Sequence, residues 1–148
     1  MSKIATVELF GAGSFSRVLP AWLDDGWGFL QVPPPFRFEA FDPGAARDFE
    51  LAASSAATLG AFLREMDTLY DAGKGICVGL ARGEDNVPVT LKPGGLWEWE
   101  VNVNLPDLPI MAGRPRRRKD WNKIVSIVTE PLYRRGIFID AITLYEDF

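Results

Sequence analysis

Glu98, Glu100, Asn102 and Asn104 alternate with Trp97, Trp99, Val101, Val103 and Leu105 along residues 96–105. In an extended chain neighbouring side chains point to opposite faces, and alternate residues lie about 6.6 Å apart. The spacing therefore puts two carboxylates and two amides on one face of a strand and five apolar residues on the other. Carboxylates so placed could serve as acid and base in a hydrolase, or hold Mg²⁺. The same residues suit the wet side of an antiparallel sheet. They also suit an acidic surface that mimics a phosphate backbone and fills the basic cleft of another protein. Glu84 and Asp85, in a turn through residues 82–86, extend that acidic character.

Other chemistry is excluded by composition. The 148 residues include no histidine and one cysteine. Serine and cysteine nucleophiles activated by histidine are ruled out. So are histidine-containing zinc sites, and Cys77 alone cannot build a thiolate site. No metal and no cofactor is expected.

Three further features have simpler readings. Gly11-Ala12-Gly13-Ser14-Phe15-Ser16 resembles loops whose backbone amides cradle phosphates, and is read as a strand-to-helix turn. Arg114-Pro115-Arg116-Arg117-Arg118-Lys119 could dock phosphates or an acidic partner. It lacks interleaved aromatics and is read as a solvated loop, dispensable for folding. Trp22, Trp27, Trp97, Trp99 and Trp121 each fall on the apolar side of their own element and are read as core. Cys77 is read as inert packing in an apolar strand.

The elements that must position these residues follow from periodicity and punctuation. Ile4–Phe10 has strand composition and ends at the glycine turn. A short helix follows from Ser14 or Ser16 to about Asp25, with Pro20 inside it. Strands are expected over 27–32 and, by alternation, over Phe36–Phe41. Asp42-Pro43 reads as a helix start, and apolar residues at helical spacing from Phe49 to Tyr70 extend it to Gly73. Gly60 would let another element pack close. Ile76–Leu80 and Val87–Leu91 read as strands. A second helix starts near Asp120, with Trp121, Ile124, Val125, Val128 and Leu132 on one face and a kink or stop at Pro131. A last strand spans Ile137–Tyr145. The expected fold is α+β: a single domain over 1–148, with a mainly antiparallel β-sheet packed against one long central helix and a second C-terminal helix.

Charge is unevenly placed. Residues 1–100 carry 14 Asp/Glu and 8 Lys/Arg, and residues 101–148 carry 6 and 8. A chain of net charge −4 is unsuited to coating nucleic acid. Glu8 interrupts the first apolar run too early for a signal peptide. The longest uncharged helical stretch, Leu51–Leu63, is too short to cross a bilayer. A lone cysteine fits a reducing compartment. The sequence thus leads to an expected cytoplasmic, non-catalytic binding protein without membrane or nucleic-acid partners. Its concrete form is an immunity or antitoxin-type inhibitor that holds a basic cognate toxin, such as a nuclease, through Glu98, Glu100, Asn102, Asn104, Glu84 and Asp85. The alternative is a hydrolase using Glu98 and Glu100, with Mg²⁺ assistance.

Overall fold

The computed structural model describes residues 4–44, 51–102 and 118–147. In chain order the elements are β1 (Ile4–Phe10), α1 (Phe15–Leu23), β2 (Gly28–Phe29), β3 (Arg37–Phe41) and β4 (Ala52–Ala53). They continue with α2 (Leu59–Asp71), β5 (Gly75–Arg82), β6 (Asp85–Lys92), β7 (Leu96–Asn102), α3 (Arg118–Arg134) and β8 (Ala141–Asp147). The strands form one eight-stranded sheet in the order β4-β3-β5-β6-β7-β1-β8, with β2 also pairing β5. Every pairing is antiparallel. With three helices among the described residues, this is an α+β fold.

The alternation read from the sequence decides which side of the sheet is covered. Val7 and Leu9 of β1, Val78 and Leu80 of β5, Val87 and Val89 of β6, and Trp97, Trp99 and Val101 of β7 are buried in one core. Phe15, Val18, Leu19 and Trp22 of α1 enter the same core. So do Phe62, Leu63 and Met66 of α2, and Ile124, Val128 and Leu132 of α3. Trp22 meets Trp97 and Trp99 edge-on at 5.2 and 5.0 Å between ring centres, and Trp27 meets Trp99 at 5.0 Å. These are favourable aromatic geometries. Two indoles also tie elements together: Trp22 Nε1 donates to the Val128 carbonyl at 2.8 Å, and Trp97 Nε1 to that of Gly13 at 2.9 Å. Trp22→Phe is expected to cost about 0.5–1.5 kcal/mol through its lost hydrogen bond, in addition to the cost of the smaller ring. Chemical denaturation would measure it.

The long central helix is not there. Among the described residues of the expected span, only Leu59–Asp71 is helical, thirteen residues. Ala52–Ala53, expected inside the helix, pairs with β3. The Ser54 amide donates to the Phe36 carbonyl at 2.8 Å, and its hydroxyl accepts from the Ala56 amide at 3.0 Å. Serine competes for backbone groups in this way, which weakens a helix start among alanines. The working cap is Thr58, whose hydroxyl accepts from the Ala61 amide. Asp42 instead pairs with Lys74, and Gly44 takes a left-handed φ of +77°. The part of the expected helix over 45–50 lies outside the described residues.

Smaller corrections have local causes. The strand expected over 27–32 shrinks to β2, and the final strand starts at Ala141. Between α3 and β8, the Ile137 amide closes back on the Leu132 carbonyl at 3.0 Å, so Ile137 belongs to the helix ending. Pro131 does not stop α3, which runs to Arg134 with the proline buried. Gly60 is exposed, and among the described residues no other element packs on it. The close approaches occur at Gly75 and Gly79 of β5. A Cβ on Gly75 would lie 2.3 Å from the Phe41 ring, and one on Gly79 3.2 Å from Leu30. Both glycines lie on the side of the sheet away from the helices, so side chains from neighbouring segments lie down over that face.

Candidate functional site

That outer face carries the residues of chemical interest. The register lines up one cross-strand row: Glu39 of β3 opposite Cys77 of β5, Cys77 opposite Thr90 of β6, Thr90 opposite Glu98 of β7, and Glu98 opposite Glu8 of β1. Glu100, two residues beyond Glu98, lies opposite Thr6. Three polar members of this row are nevertheless closed off from water. Glu39 is 6 % exposed, Thr90 2 % and Glu98 5 %.

Glu98 therefore does not face water, as its alternation suggested. Lys92 Nζ donates to Glu98 Oε1 at 2.8 Å, and the Glu8 carboxyl is hydrogen-bonded to Glu98. Burial, then that hydrogen bond, then the Glu98 charge push the Glu8 pKa above the usual carboxylate value, against the pull of Lys92. Asp85 departs from expectation too. It is 3 % exposed, and by alternation it shares the helix side with Val87 and Val89. Its Oδ1 has no hydrogen-bond partner, and burial raises its pKa, opposed by Arg82 and reinforced by Glu84. Arg82, directly opposite, instead lies over the Trp27 ring at 4.5 Å and reaches Asp25 Oδ2 at 3.3 Å. Glu84 is exposed at the hairpin tip. Asn102 ends β7; Asn104, with Val103, Leu105 and residues 114–117 of the basic segment, lies outside the described residues. Among the described residues, Asp85 thus lies on the side of the sheet opposite Glu98 and Glu100.

A cavity of about 390 Å³ opens on the outer face, within the range of small-ligand sites. Its floor is Cys77, Gly79, Pro88 and Thr90, its walls include Leu30 and Leu51, and Glu39 and Glu100 line it. Arg37 lines an adjoining recess that shares Leu30, Leu51 and Gly79. Glu98 is not part of this cavity's lining, which holds one of the two carboxylates of the hydrolase reading, Glu100. Glu39, Thr90 and the cavity itself were missed in the sequence. The only available signal was the alternation of Arg37, Glu39 and Phe41 with Phe38 and Ala40, which puts Glu39 on a face opposite the core. Cys77 is buried as expected, but it lines this cavity.

The glycine loop is a strand-to-helix turn. The first-turn amide of Ser16 donates to Asp67 Oδ1 of α2 at 3.1 Å. A carboxylate from within the fold thus takes the position a phosphate would need. Among the described residues, no group of three metal-ligating side chains is placed to hold an ion. No helix among them is long and apolar enough to cross a membrane. A scan against protein-family models, a search of curated proteins and a search of solved structures each found no match to this chain.

The raised carboxyl pKa values of Glu8 and Asp85 make stability depend on pH. Each folded-state pKa lies above its unfolded value, so the folded state binds more protons between the two. Their stabilising contribution is complete below the unfolded values and is lost as pH rises through the raised ones. Glu8→Gln keeps a hydrogen-bonding group and removes one of two like charges that face each other across β1 and β7. It is expected to gain about 0.2–1 kcal/mol at neutral pH, the range for cross-strand pairs, and nothing at pH 3. Urea titrations at both pH values would check this.

Proposed function

We propose that this chain is a non-catalytic binding protein of the inhibitor type, which holds a basic partner protein against the outer face of its sheet. The observation that carries the reading is the charge of that face. Among the described residues it carries Glu8 and Glu100, both half-buried, and the buried Glu39 and Glu98, against Lys92, which pairs with Glu98, and Arg37; two of the carboxylates line its cavity. Potentials of opposite sign steer partners together and reject wrong ones. The immunity or antitoxin class, with a basic toxin as the partner, is the specific form of this proposal, and a cytoplasmic location goes with it. The hydrolase reading needs Glu98 and Glu100 across one void, and Glu98 is instead committed to Lys92 and Glu8.

The test is capture of the partner by the tagged protein in its native cells, followed by reconstitution from purified components. A basic protein bound at fixed stoichiometry, with its activity blocked, is the expected result. Turnover of a small substrate by the purified chain, with no protein bound, would reverse the proposal in favour of the carboxylate enzyme.

A further inference from the structure

We infer that the outer-face cavity is a binding site for a neutral, largely apolar small molecule that offers one polar group to the Thr90 hydroxyl. The hollow comes from the residue sizes across β5 and β6. Gly79 has no side chain, and Cys77, Pro88 and Thr90 are short, while Leu30 and Leu51 stand as walls. A Cβ on Gly79 would already lie 3.2 Å from Leu30, so the glycine keeps the space open. Benzene occupies a cavity of about 150 Å³; at about 390 Å³ this one has room for about ten to fifteen non-hydrogen atoms. Leu30 is 47 % exposed although it lines the void. An apolar body seated beside it removes that surface from water, which is the main driving force for such binding.

The floor adds one specific polar feature. Thr90 is 2 % exposed and lines the cavity, and no hydrogen bond among the described residues engages its hydroxyl. A polar group at that depth is costly until it is paired. A hydroxyl both donates and accepts, so a ligand hydroxyl or carbonyl satisfies it. Glu39 and Glu100 are not the binding groups. Both already take part in other contacts of the fold. They stand on β3 and β7 with β5 and β6 between them, so strand spacing separates their columns by about 14 Å. Their charges repel a carboxylate or a phosphate from either margin. An ammonium ion at the centre sheds its water over a largely apolar floor, with no carboxylate given over to it. A neutral molecule meets neither cost. The site needs no second protein and so stands apart from the partner reading.

The probe is 2-naphthol, compared with naphthalene, the 2-naphthoate anion and the 2-naphthylmethylammonium cation. Each is titrated into the purified full chain and followed by NMR. Alkylation of Cys77 by iodoacetamide is read in parallel, because this floor residue is the chain's one cysteine. The expected result is saturable binding of naphthol, with shifts at Thr90, Cys77 and Gly79 and slower labelling of Cys77. Both charged analogues should bind at least about tenfold more weakly. Thr90→Val keeps the side-chain shape and removes the hydroxyl. It should weaken naphthol about two- to tenfold, as for loss of one neutral hydrogen bond, and leave naphthalene unchanged. Leu30→Ser trims a half-exposed wall and should weaken naphthol and naphthalene alike; it carries the test if Thr90→Val fails to fold. No saturation by naphthol, or a charged analogue bound as tightly, overturns the neutral-ligand site. Binding that leaves Cys77 labelling unchanged, or that is unaltered in Leu30→Ser, puts the ligand elsewhere and overturns it too. Equal losses of naphthol and naphthalene in Thr90→Val overturn the part assigned to the hydroxyl.

Discussion

Trp99→Ala is expected to lose about 3–5 kcal/mol of folding stability, the range for truncating a large aromatic in a packed core. The indole is fully buried and makes edge contacts with Trp22 and Trp27 at 5.0 Å each. Its removal empties space at the junction of β7, α1 and the segment before β2, where three indoles support one another. Such a loss is a large part of the 5–15 kcal/mol that holds a domain together, so the variant should melt far below the parent or fail to accumulate. Trp99→Phe separates packing from polarity. Trp99 Nε1 has no hydrogen-bond partner, so phenylalanine removes a buried, unsatisfied donor as well as ring area. Trp99→Phe should therefore be milder than Trp22→Phe, whose indole N–H is bonded to the Val128 carbonyl. Calorimetry on the three variants checks the order. A near-zero loss for Trp99→Ala would mean that the tryptophan face is a surface, and the layer assignment would fall with it.

The second large effect is on association. Glu100→Ala is expected to weaken the complex by about 2–5 kcal/mol, mostly through faster dissociation, if the carboxylate meets a partner cation away from water. Glu84→Ala should change affinity by less than about 1 kcal/mol, because Glu84 is exposed at the hairpin tip and its charge is screened. Surface plasmon resonance with the purified partner separates the rates. Equal, small effects of both truncations would place the interface elsewhere.

Much of the fold was legible because burial here follows strict periods. The alternation over Leu96–Asn102 placed Trp97, Trp99 and Val101 in the core, and the apolar spacing in α1 and α3 marked the faces that cover them. The long helix misled because alanine and serine spacing at 52–57 fits a 3.6-residue period, while Ser54 spends its hydrogen bonds on the extended form. The site was less legible. Alternation assigns a residue to a face but does not say whether that face is wet. The charge of Glu98 and the turn position of Asp85 suggest a solvated or partner-facing surface, yet Glu98 is held by Lys92 and Glu8, and Asp85 turns to the helix side. The cavity depends on Leu30 and Leu51 arching over Gly79 and its neighbours, a tertiary arrangement with no local signature.

The most direct test of the partner-binding role is the salt dependence of the association rate with the captured partner, for the parent and for Glu100→Arg. Electrostatic steering across an acidic face predicts fast association at low salt that slows as screening sets in. Glu100→Arg, which replaces −1 by +1 at the cavity rim, should associate at least about tenfold more slowly at low salt and show a flatter salt dependence. Identical rates for parent and variant across the salt range would contradict an acidic sheet face as the surface that captures a basic partner.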